Sequence, residues 1–254
     1  MSLQTPSLPW LDPGQDFPPT SQAWDQSSPA PGLLAAGGVL EVDTLRRAYS
    51  QGIFPWYSEG QPILWWSPDP RMVLDVASFR IHPSFEKRLR QFCQRPGSEI
   101  RVDSAFDQVI QACASRERDG QAGTWIVPEM IAAYGQLHRA GYAHSVETWI
   151  DGQLVGGLYC VAMGKAVFGE SMFSRVSDAS KMALAALVGF CRHHGIVQID
   201  CQQNTAHLAS LGAAEIARSL FLKRVSAGLV QDGPDWVFDV EYWQQLLAPK
   251  SKPT

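Results

Sequence analysis

The most constraining feature of this sequence is a stretch of three strand-like segments separated by tight turns. They cover residues 143–150, 153–162 and 166–173. The first turn is the dipeptide Asp151-Gly152, a strong hairpin signal, and Gly164 marks the second. The pattern predicts a three-stranded antiparallel meander. Gly156 and Gly157 predict a bulge in its middle strand, or a place where the backbone of a ligand comes close.

Helices and short strands follow the meander. A helix is expected from Ala179 to His194, capped by Ser177 or Asp178 and ended by Gly195. The later segments are a strand at 196–199, a short helix at 205–211, a strand near 215–216, a helix at 219–229 and a strand-like piece at 236–238. This order predicts an α+β fold in which helices pack on a mixed sheet.

Two carboxylates stand at the ends of apolar strands. Glu170 lies in the segment Gly169–Ser174, where the third strand of the meander ends. Asp200 directly follows the strand at 196–199. Burying a carboxylate is unfavourable unless the charge has a partner or a function. We therefore expect these two strand ends to form one site.

The N-terminal part differs in composition from the rest. Residues 1–37 contain seven prolines and no lysine or arginine, which predicts an extended arm, followed by a turn at 33–38. A short helix through Tyr49 precedes a β-hairpin between residues 53 and 66. The hairpin carries Phe54, Trp56, Tyr57, Trp65 and Trp66. These rings form either a small core or a platform on which a base, a ribose or an apolar side chain stacks.

Residues 71–101 form a basic stretch in an acidic chain. Seven arginines and lysines stand against three carboxylates there, whereas the whole chain has a net charge of −4. Pro83 begins a predicted helix whose basic side chains point outward. Such a surface is either a solvated helix face or a contact for an anion such as an RNA backbone. Two more helices are expected, at 105–115 with Asp103 or Ser104 as cap, and at 128–141.

Missing motifs narrow the possible functions. The sequence has neither a dinucleotide-binding glycine fingerprint nor a phosphate-binding loop, so no nucleotide cofactor is expected. The five cysteines form no C-x-x-C pair and are expected to be small buried residues in a reducing compartment. A metal site is not expected, because its possible ligands lack zinc-like spacing; they are Cys201, His207, His193 and His194. With no membrane-length apolar run and no signal peptide, a cytoplasmic protein is expected.

Several segments carry a resemblance to a known family. They are Gly-Ile-Phe-Pro-Trp at 52–56, Trp-Trp-Ser-Pro-Asp-Pro-Arg at 65–71, Gly-Thr-Trp-Ile at 123–126, Gly-Glu-Ser-Met-Phe-Ser at 169–174, Ile-Asp-Cys-Gln at 199–202 and Ser-Leu-Gly-Ala at 210–213. Through these segments most of the chain resembles the leucyl/phenylalanyl-tRNA–protein transferases. The resemblance implies a small, mostly β N-terminal domain at 1–70 and a catalytic domain at 71–254 with a GNAT-like (acyltransferase-type) mixed sheet. The junction 174–181 contains no glycine, which argues against coenzyme A.

The resemblance also implies a reaction. The family moves Leu or Phe, with Met as a further donor, from aminoacyl-tRNA to the α-amino group of proteins that begin with Arg or Lys. The new residue marks those proteins for degradation. The donor is already an activated ester, so no cofactor is expected. The expected partners are Leu-tRNA, Phe-tRNA and the acceptor proteins, with no membrane, and the expected state is a monomer.

Candidate site residues follow from the same resemblance. Asp200 would orient the acceptor amine or accept its proton, and Gln202 would hydrogen-bond the amine or the reacting carbonyl. Glu170 would face the cationic acceptor side chain, or else pair with a basic neighbour. The residues expected around the terminal adenosine and the aminoacyl group are Tyr49, Trp56, Trp125, Tyr134, Leu158, Val167, Phe168 and Ser171. The residues expected to bind tRNA are Arg80, Lys87, Arg88 and Arg90.

Two other functions fit the same fold. One is a GNAT-like acyltransferase of another type, including a peptidoglycan-type aminoacyl transferase. The other is a non-catalytic binder of aminoacyl-tRNA, which has no use for polar groups at both strand ends. One departure from the family concerns the aminoacyl pocket: Val167 stands where an aromatic residue is common, so a wider pocket is expected.

Overall fold

The computed structural model of the protein describes residues 7–115 and 126–247. Its strands are β1 (Trp10–Leu11), β2 (Leu33–Gly37), β3 (Phe54–Pro55), β4 (Leu64–Trp66), β5 (Arg71–Asp75), β6 (Ser98–Val102), β7 (Ala143–Ile150), β8 (Gln153–Met163), β9 (Ala166–Ser174), β10 (Gln198–Asp200) and β11 (Ala214–Ile216). Its α-helices are α1 (Val42–Ser50), α2 (Pro83–Gln94), α3 (Phe106–Ala114), α4 (Pro128–Arg139), α5 (Ala179–His193), α6 (Ala206–Ser210), α7 (Arg218–Leu229) and α8 (Gln244–Leu247).

A four-stranded sheet in the order β1-β2-β4-β3 organises the N-terminal part. The expected hairpin is confirmed, since β3 and β4 pair antiparallel with Phe54 opposite Trp66. The turn expected at 33–38 is wrong: residues 33–37 form β2, an inner strand whose residues are all buried. The run Leu-Leu-Ala-Ala carries no charge and suits a strand covered on both faces. The preceding arm is also anchored, because Phe17 packs edge-on against Trp65 at 4.8 Å.

The second sheet has seven strands in the order β11-β5-β10-β9-β8-β7-β6. The predicted meander β7-β8-β9 is confirmed as its centre, and the first turn has the two positive φ values of a type I′ hairpin, at Asp151 and Gly152. One pair is parallel, β9 with β10, so the sheet is mixed as predicted. That parallel pairing covers only Val167–Ile199 and Phe168–Asp200, because β10 ends at Asp200 while β9 continues to Ser174.

Gly156 lies where the middle strand is irregular. The register between β7 and β8 shifts next to it, which confirms the predicted bulge. The close approach at this glycine comes from the start of α5 and not from a ligand. A Cβ at Gly156 would lie 2.8 Å from the carbonyl carbon of Ala179. Glycine is therefore required to seat α5 on the sheet.

The N-termini of two helices are held differently from the sequence prediction. At α3, neither Asp103 nor Ser104 is the cap; the carboxylate of Glu147 on β7 accepts the N–H of Ala105 at 2.8 Å. At α5, Asp178 stands at the cap position with φ 64° and caps no backbone N–H. There the hydroxyl of Ser174, at the end of β9, accepts the N–H of Ser180 at 2.8 Å. Both side chains belong to strands, which local rules for helix caps do not consider.

Helices cover both faces of the seven-stranded sheet. One face packs against α3, α4 and α7, and its core is continuous with that of the four-stranded sheet. The other face packs against α5 and the C-terminal segment. The strand expected at 236–238 is wrong: this segment is irregular and contributes aromatic cover, with Trp236 stacked on His144 at 4.1 Å. Among the described helices, none is long and apolar enough to cross a membrane.

Candidate active site

A cavity of about 640 Å³ lies beside β9 where the shorter strand β10 ends. One part of its wall is apolar and consists of Leu158, Leu184, Leu187, Ile199 and Leu208. The remaining wall includes the polar residues Glu170, Ser171, Gln202, Asp178, Lys181 and His207. A large, mostly preformed cavity with a few convergent polar groups is typical of a ligand-binding site.

Glu170 lies inside β9 and not at its end, which corrects the sequence prediction. Tyr159 on β8 pairs with Ser171, and the next residue, Cys160, pairs with Gly169. Glu170 is therefore the extra residue of a β-bulge. A bulge redirects one side chain relative to the strand's alternation. Here the carboxyl group of Glu170 contacts Gln202, which follows β10, and Tyr134 on α4.

The carboxyl group of Glu170 is hydrogen-bonded on both sides. The amide Nε2 of Gln202 donates to Oε1 at 3.0 Å, and the hydroxyl of Tyr134 donates to Oε2 at 3.4 Å. Tyr134 is in turn hydrogen-bonded to the hydroxyl of Tyr49. Gln202 lies two residues after Asp200, and Glu170 two after Phe168, so the parallel register brings them together.

Burial raises the pKa of Glu170 to about 8, and the nearby negative charge of Asp200 adds to the rise, against lowering contributions from hydrogen bonds with the tyrosines and from Arg71. The carboxyl group is therefore mostly protonated at neutral pH in the absence of a ligand. Burial also raises the pKa of Tyr49 and of Tyr134 well above the ordinary value, so both hydroxyls stay neutral. A cation placed beside Glu170 would favour its ionised form.

Asp200 is buried in an ion pair. Arg71 on β5 donates to it through two nitrogens, Nε to Oδ1 at 2.8 Å and Nη2 to Oδ2 at 2.6 Å. The backbone N–H of Gln202 also donates to Oδ1, at 3.0 Å. From the sequence, Arg71 is assigned only to the basic stretch 71–101 and to the family segment 65–71. Its position directly before the apolar run Met-Val-Leu is the signal that it lies in a buried strand, β5.

Some of the predicted substrate-binding residues line the cavity, and others are packed in the core beside it. Leu158 and Ser171 line the cavity. Val167 is buried in the same core as Leu158 without lining the cavity, and Phe168 packs against Tyr49 with 5.1 Å between ring centres. Trp125 lies outside the described residues.

The aromatic cluster of the hairpin is mainly core. Phe54, Tyr57, Trp65 and Trp66 are buried, and only Trp56 is partly exposed. The rings of Trp56 and Trp66 meet edge-on at 5.4 Å. The core interpretation is therefore correct for four of the five rings. Trp56 is the one whose ring remains accessible to a stacking partner.

Acidic partners offset part of the predicted tRNA-binding charge. Arg88 is paired with Asp178, and Arg90 with Glu86 at 2.8 Å. Within residues 7–115 and 126–247, Arg80 and Lys87 make no salt bridge. The basic excess of residues 71–101 is thus smaller in the folded protein than in the sequence. The reason is that a partner such as Asp178 comes from outside the stretch.

The four residues considered as metal ligands are dispersed. Cys201 and His207 line the cavity, whereas His193 and His194 stand at the far end of α5. In the part of the chain that the structure describes, no three His, Cys, Asp or Glu side chains are grouped as metal ligands would be.

An acid with a raised pKa and its amide partner line one cavity, and a buried ion pair holds the backbone of that amide residue, a composition typical of an enzyme active site. Comparison with known proteins defines the class further. The family model "Leucyl/phenylalanyl-tRNA protein transferase" matches residues 73–226, and the model of its N-terminal domain matches residues 38–69. The chain belongs to the leucyl/phenylalanyl-tRNA–protein transferase family, as the resemblance predicts, and is therefore an acyltransferase.

Two relatives illustrate the similarity. The Leucyl/phenylalanyl-tRNA--protein transferase of Albidiferax ferrireducens is 77% identical over 100% of both chains. That of a Polaromonas species is 61% identical over 97% of this chain and 96% of the relative. Among solved structures, L-PGS from Bacillus licheniformis aligns with a TM-score of 0.36 and 12% identity, covering 68% of this chain and 53% of that one. This last likeness is too weak to carry a conclusion.

Proposed function

We propose that the protein transfers Leu or Phe, with Met as a further donor, from aminoacyl-tRNA to the α-amino group of proteins that begin with Arg or Lys. The observation that carries the proposal is the contact between Glu170 and Gln202 on the polar wall of a cavity whose other wall is apolar. The family membership supports the donor and the type of acceptor. Addition of the new residue marks the acceptor protein for degradation.

The reaction exchanges an ester for a peptide bond. The acceptor's neutral α-amine attacks the ester carbonyl carbon, a C–N bond forms, and the C–O bond to the terminal ribose breaks. The amine loses one proton and the ribose oxygen gains one, so the step balances without a cofactor. The enzyme has to orient the two reactants and stabilise the oxyanion of the tetrahedral intermediate.

Gln202 is proposed to serve the reacting carbonyl. Its side-chain amide carries two N–H donors, and among residues 7–115 and 126–247 they make one hydrogen bond, with Glu170 Oε1. The second donor is available for the carbonyl oxygen as negative charge develops there. Asp200 acts on the same residue, because it accepts the backbone N–H of Gln202. In this proposal Asp200 orients the reaction centre through Gln202.

Glu170 is proposed to bind the cationic side chain of the acceptor. Its carboxyl group is partly buried, lines the cavity and is hydrogen-bonded in place. An arginine or lysine brought beside it restores the charged carboxylate and gains a charge-assisted hydrogen bond. A neutral acceptor side chain offers no such gain, which gives the preference for Arg and Lys.

The apolar wall is proposed to hold the aminoacyl side chain. Leu158, Leu184, Leu187 and Ile199 offer a surface for an unbranched or γ-branched side chain such as Leu, Met or Phe. β-Branched side chains are stiff at χ1 and fit a deep slot poorly. A cavity of about 640 Å³ also leaves space for the acceptor side chain at the polar end.

The fold around the site supports a GNAT-like assignment. The meander β7-β8-β9 is followed by α5 and by β10, which runs parallel to β9. We assign the catalytic part to the GNAT-like acyltransferases on this order of elements. Because aminoacyl-tRNA is a cytoplasmic molecule, the proposed reaction takes place in the cytoplasm.

A transfer assay tests the proposal. The protein is mixed with radiolabelled Leu-tRNA or Phe-tRNA and a peptide that begins with Arg, and label on the peptide is measured. We expect transfer to this peptide and none to the same peptide with an acetylated α-amine. Label that stays on tRNA with both peptides would contradict the proposal, and transfer to a peptidoglycan precursor instead would favour the other type of acyltransferase.

A further inference from the structure

We infer that Arg71 is a positioning residue of the transfer site, which acts through Asp200 to fix the backbone and the amide of Gln202. The inference rests on the proposed function and deepens it. Arg71 is fully buried and hydrogen-bonded to Asp200, and Asp200 in turn accepts the backbone N–H of Gln202, which lines the cavity.

Arg71 is held rigidly by distant parts of the chain. Its two bonds to Asp200 form a planar bidentate pair, and its Nη1 donates to the backbone carbonyl of Gly52 at 3.2 Å. Its guanidinium carbon lies over two rings, 4.7 Å from the centre of Phe54 and 4.6 Å from that of Phe221. Contacts with two rings together with the hydrogen bonds restrict the orientation of the guanidinium.

The orientation of the Arg71 guanidinium fixes the Asp200 carboxylate, which in turn holds Gln202. Oδ1 of Asp200 accepts both from Arg71 Nε and from the backbone N–H of Gln202. Gln202 has a φ of 55°, a left-handed conformation that a residue other than glycine adopts only when its surroundings hold it there. In this conformation its amide reaches Glu170 Oε1 at 3.0 Å. A tilt of the Asp200 carboxylate would therefore misplace the amide.

Arginine and not merely positive charge is needed for this role. A lysine at position 71 would keep a cation beside Asp200 but would offer a point charge in place of the planar fork. It would also lose the bond to Gly52 and the cation–π contacts with the two rings. The carboxylate would stay neutralised while its orientation became loose. Arg71→Lys therefore separates positioning from charge.

A double-mutant cycle tests the inference. Arg71→Lys, Gln202→Ala and the double variant are compared by kcat and KM for transfer of Leu to a peptide that begins with Arg. We expect Arg71→Lys to lower kcat by about 10- to 100-fold while KM for Leu-tRNA is unchanged, because the misplaced group acts in the transition state. With Gln202→Ala already present, Arg71→Lys should lower kcat by less than about threefold, since its effect passes through that side chain.

A matched control separates this role from general stability. Arg192 also donates to backbone carbonyls, those of Val76 and Gln245, but lies away from the cavity. Arg192→Lys should leave kcat unchanged. In a second double-mutant cycle, Phe221→Leu replaces Arg71→Lys, so that the ion pair between Arg71 and Asp200 stays intact. Phe221→Leu should lower kcat by about threefold when Gln202 is present and should leave it unchanged in the Gln202→Ala background.

The outcomes distinguish this inference from the proposed function. Equal losses of kcat in the presence and absence of the Gln202 side chain, for either Arg71→Lys or Phe221→Leu, would overturn the positioning role. A rise in KM with unchanged kcat would overturn it as well. Absence of transfer by the wild-type protein would instead overturn the proposed function.

Discussion

The sequence identifies Glu170 as an unusual residue, but its contacts depend on the fold. A carboxylate between glycine and serine in an apolar segment marks it as unusual from sequence alone. Its bulged position and its contacts with Tyr134 and Gln202 come from pairings across the fold, 36 and 32 residues away in the chain. These contacts cannot be derived from local periodicity, because they depend on strand register.

The raised pKa of Glu170 predicts proton release when the acceptor binds. The pKa of this carboxyl group is about 8 in the free protein, against an ordinary value of 4.5. At a pH between these two values the carboxyl group is therefore mostly protonated. A cationic acceptor favours the ionised form, so binding expels up to one proton and affinity rises with pH toward about 8. Calorimetry in two buffers with different ionisation enthalpies measures the released protons for a peptide that begins with Arg.

Glu170→Gln provides the control for this measurement. The α-amine of the peptide also titrates near pH 8, with an ordinary pKa of about 7.7–8.0. The variant keeps that contribution and removes the carboxyl group, so the difference in proton release belongs to Glu170. Identical proton release by the wild type and the variant would contradict the pKa argument.

Charged residues that are buried in strands are difficult to predict from the sequence. Glu147 is buried and accepts hydrogen bonds from Ala105 and Trp149, and Arg71 is buried against Asp200. Charged residues in a strand pattern are ordinarily read as solvent-facing positions. Only the three-dimensional pairing shows that their partners satisfy them inside.

At the scale of elements, the sequence predicts the meander and most helices because their signals are local. The Asp151-Gly152 turn and the helical spacing in α3 and α4 both lie within a few residues. Four strands are not predicted from the sequence: β1, β2, β5 and β6. β1 lies in the proline-rich arm, β2 ends in Gly37 and is followed by Gly38, a pair that favours a turn, and β5 and β6 lie within or at the end of the basic stretch, whose main signal is its charge.

Gly156 predicts a steric limit between β8 and α5. A methyl group there would meet backbone atoms of Ala179, so Gly156→Ala should lower the free energy of unfolding by about 1–3 kcal/mol. Chemical denaturation measures the loss. Gly135→Ala is the matched control, because that glycine is inside α4 with only ordinary contacts, and alanine there should raise stability by up to about 1 kcal/mol. Equal stability of the two variants would contradict the packing argument.

Helix α2 and the loop before it predict a tRNA contact by their unpaired cations. Arg80 and Lys87 lack salt bridges among the described residues, so they are free to contact phosphates. Replacing both by alanine should weaken tRNA binding and reduce the slope of log K against log salt by about one to two. Filter binding over a salt series measures the slope. Arg95→Ala, which removes a residue already paired with Asp151, should change the slope less; equal changes would refute the assignment.

At the scale of the whole molecule, the two sheets share one core. The cluster of buried residues that contains Trp65 and Tyr49 also contains Val109 of α3 and Phe221 of α7. Arg71 adds a polar link, since it contacts Gly52 in the N-terminal part and Asp200 in the larger sheet. The sequence predicts a division at residue 70, and that division stays a prediction. The shared core depends on contacts between distant segments that composition does not reveal.

The shared core predicts one cooperative unfolding transition. Five of the nine tryptophans lie before residue 71, so tryptophan fluorescence reports largely on the N-terminal sheet. Far-ultraviolet circular dichroism reports on the helices of the larger part. The two denaturation curves should coincide. An earlier fluorescence transition with unchanged circular dichroism would show that the N-terminal part unfolds on its own.

In the proposed function, Glu170 selects the cationic side chain of the acceptor. Its role is measured by kcat/KM for two peptides that differ only in their first residue, arginine or its neutral isostere citrulline. The wild type should prefer arginine by about 10- to 100-fold, the value of a charge-assisted hydrogen bond, and Glu170→Gln should lose most of that preference. An unchanged preference in Glu170→Gln would show that Glu170 does not select the acceptor.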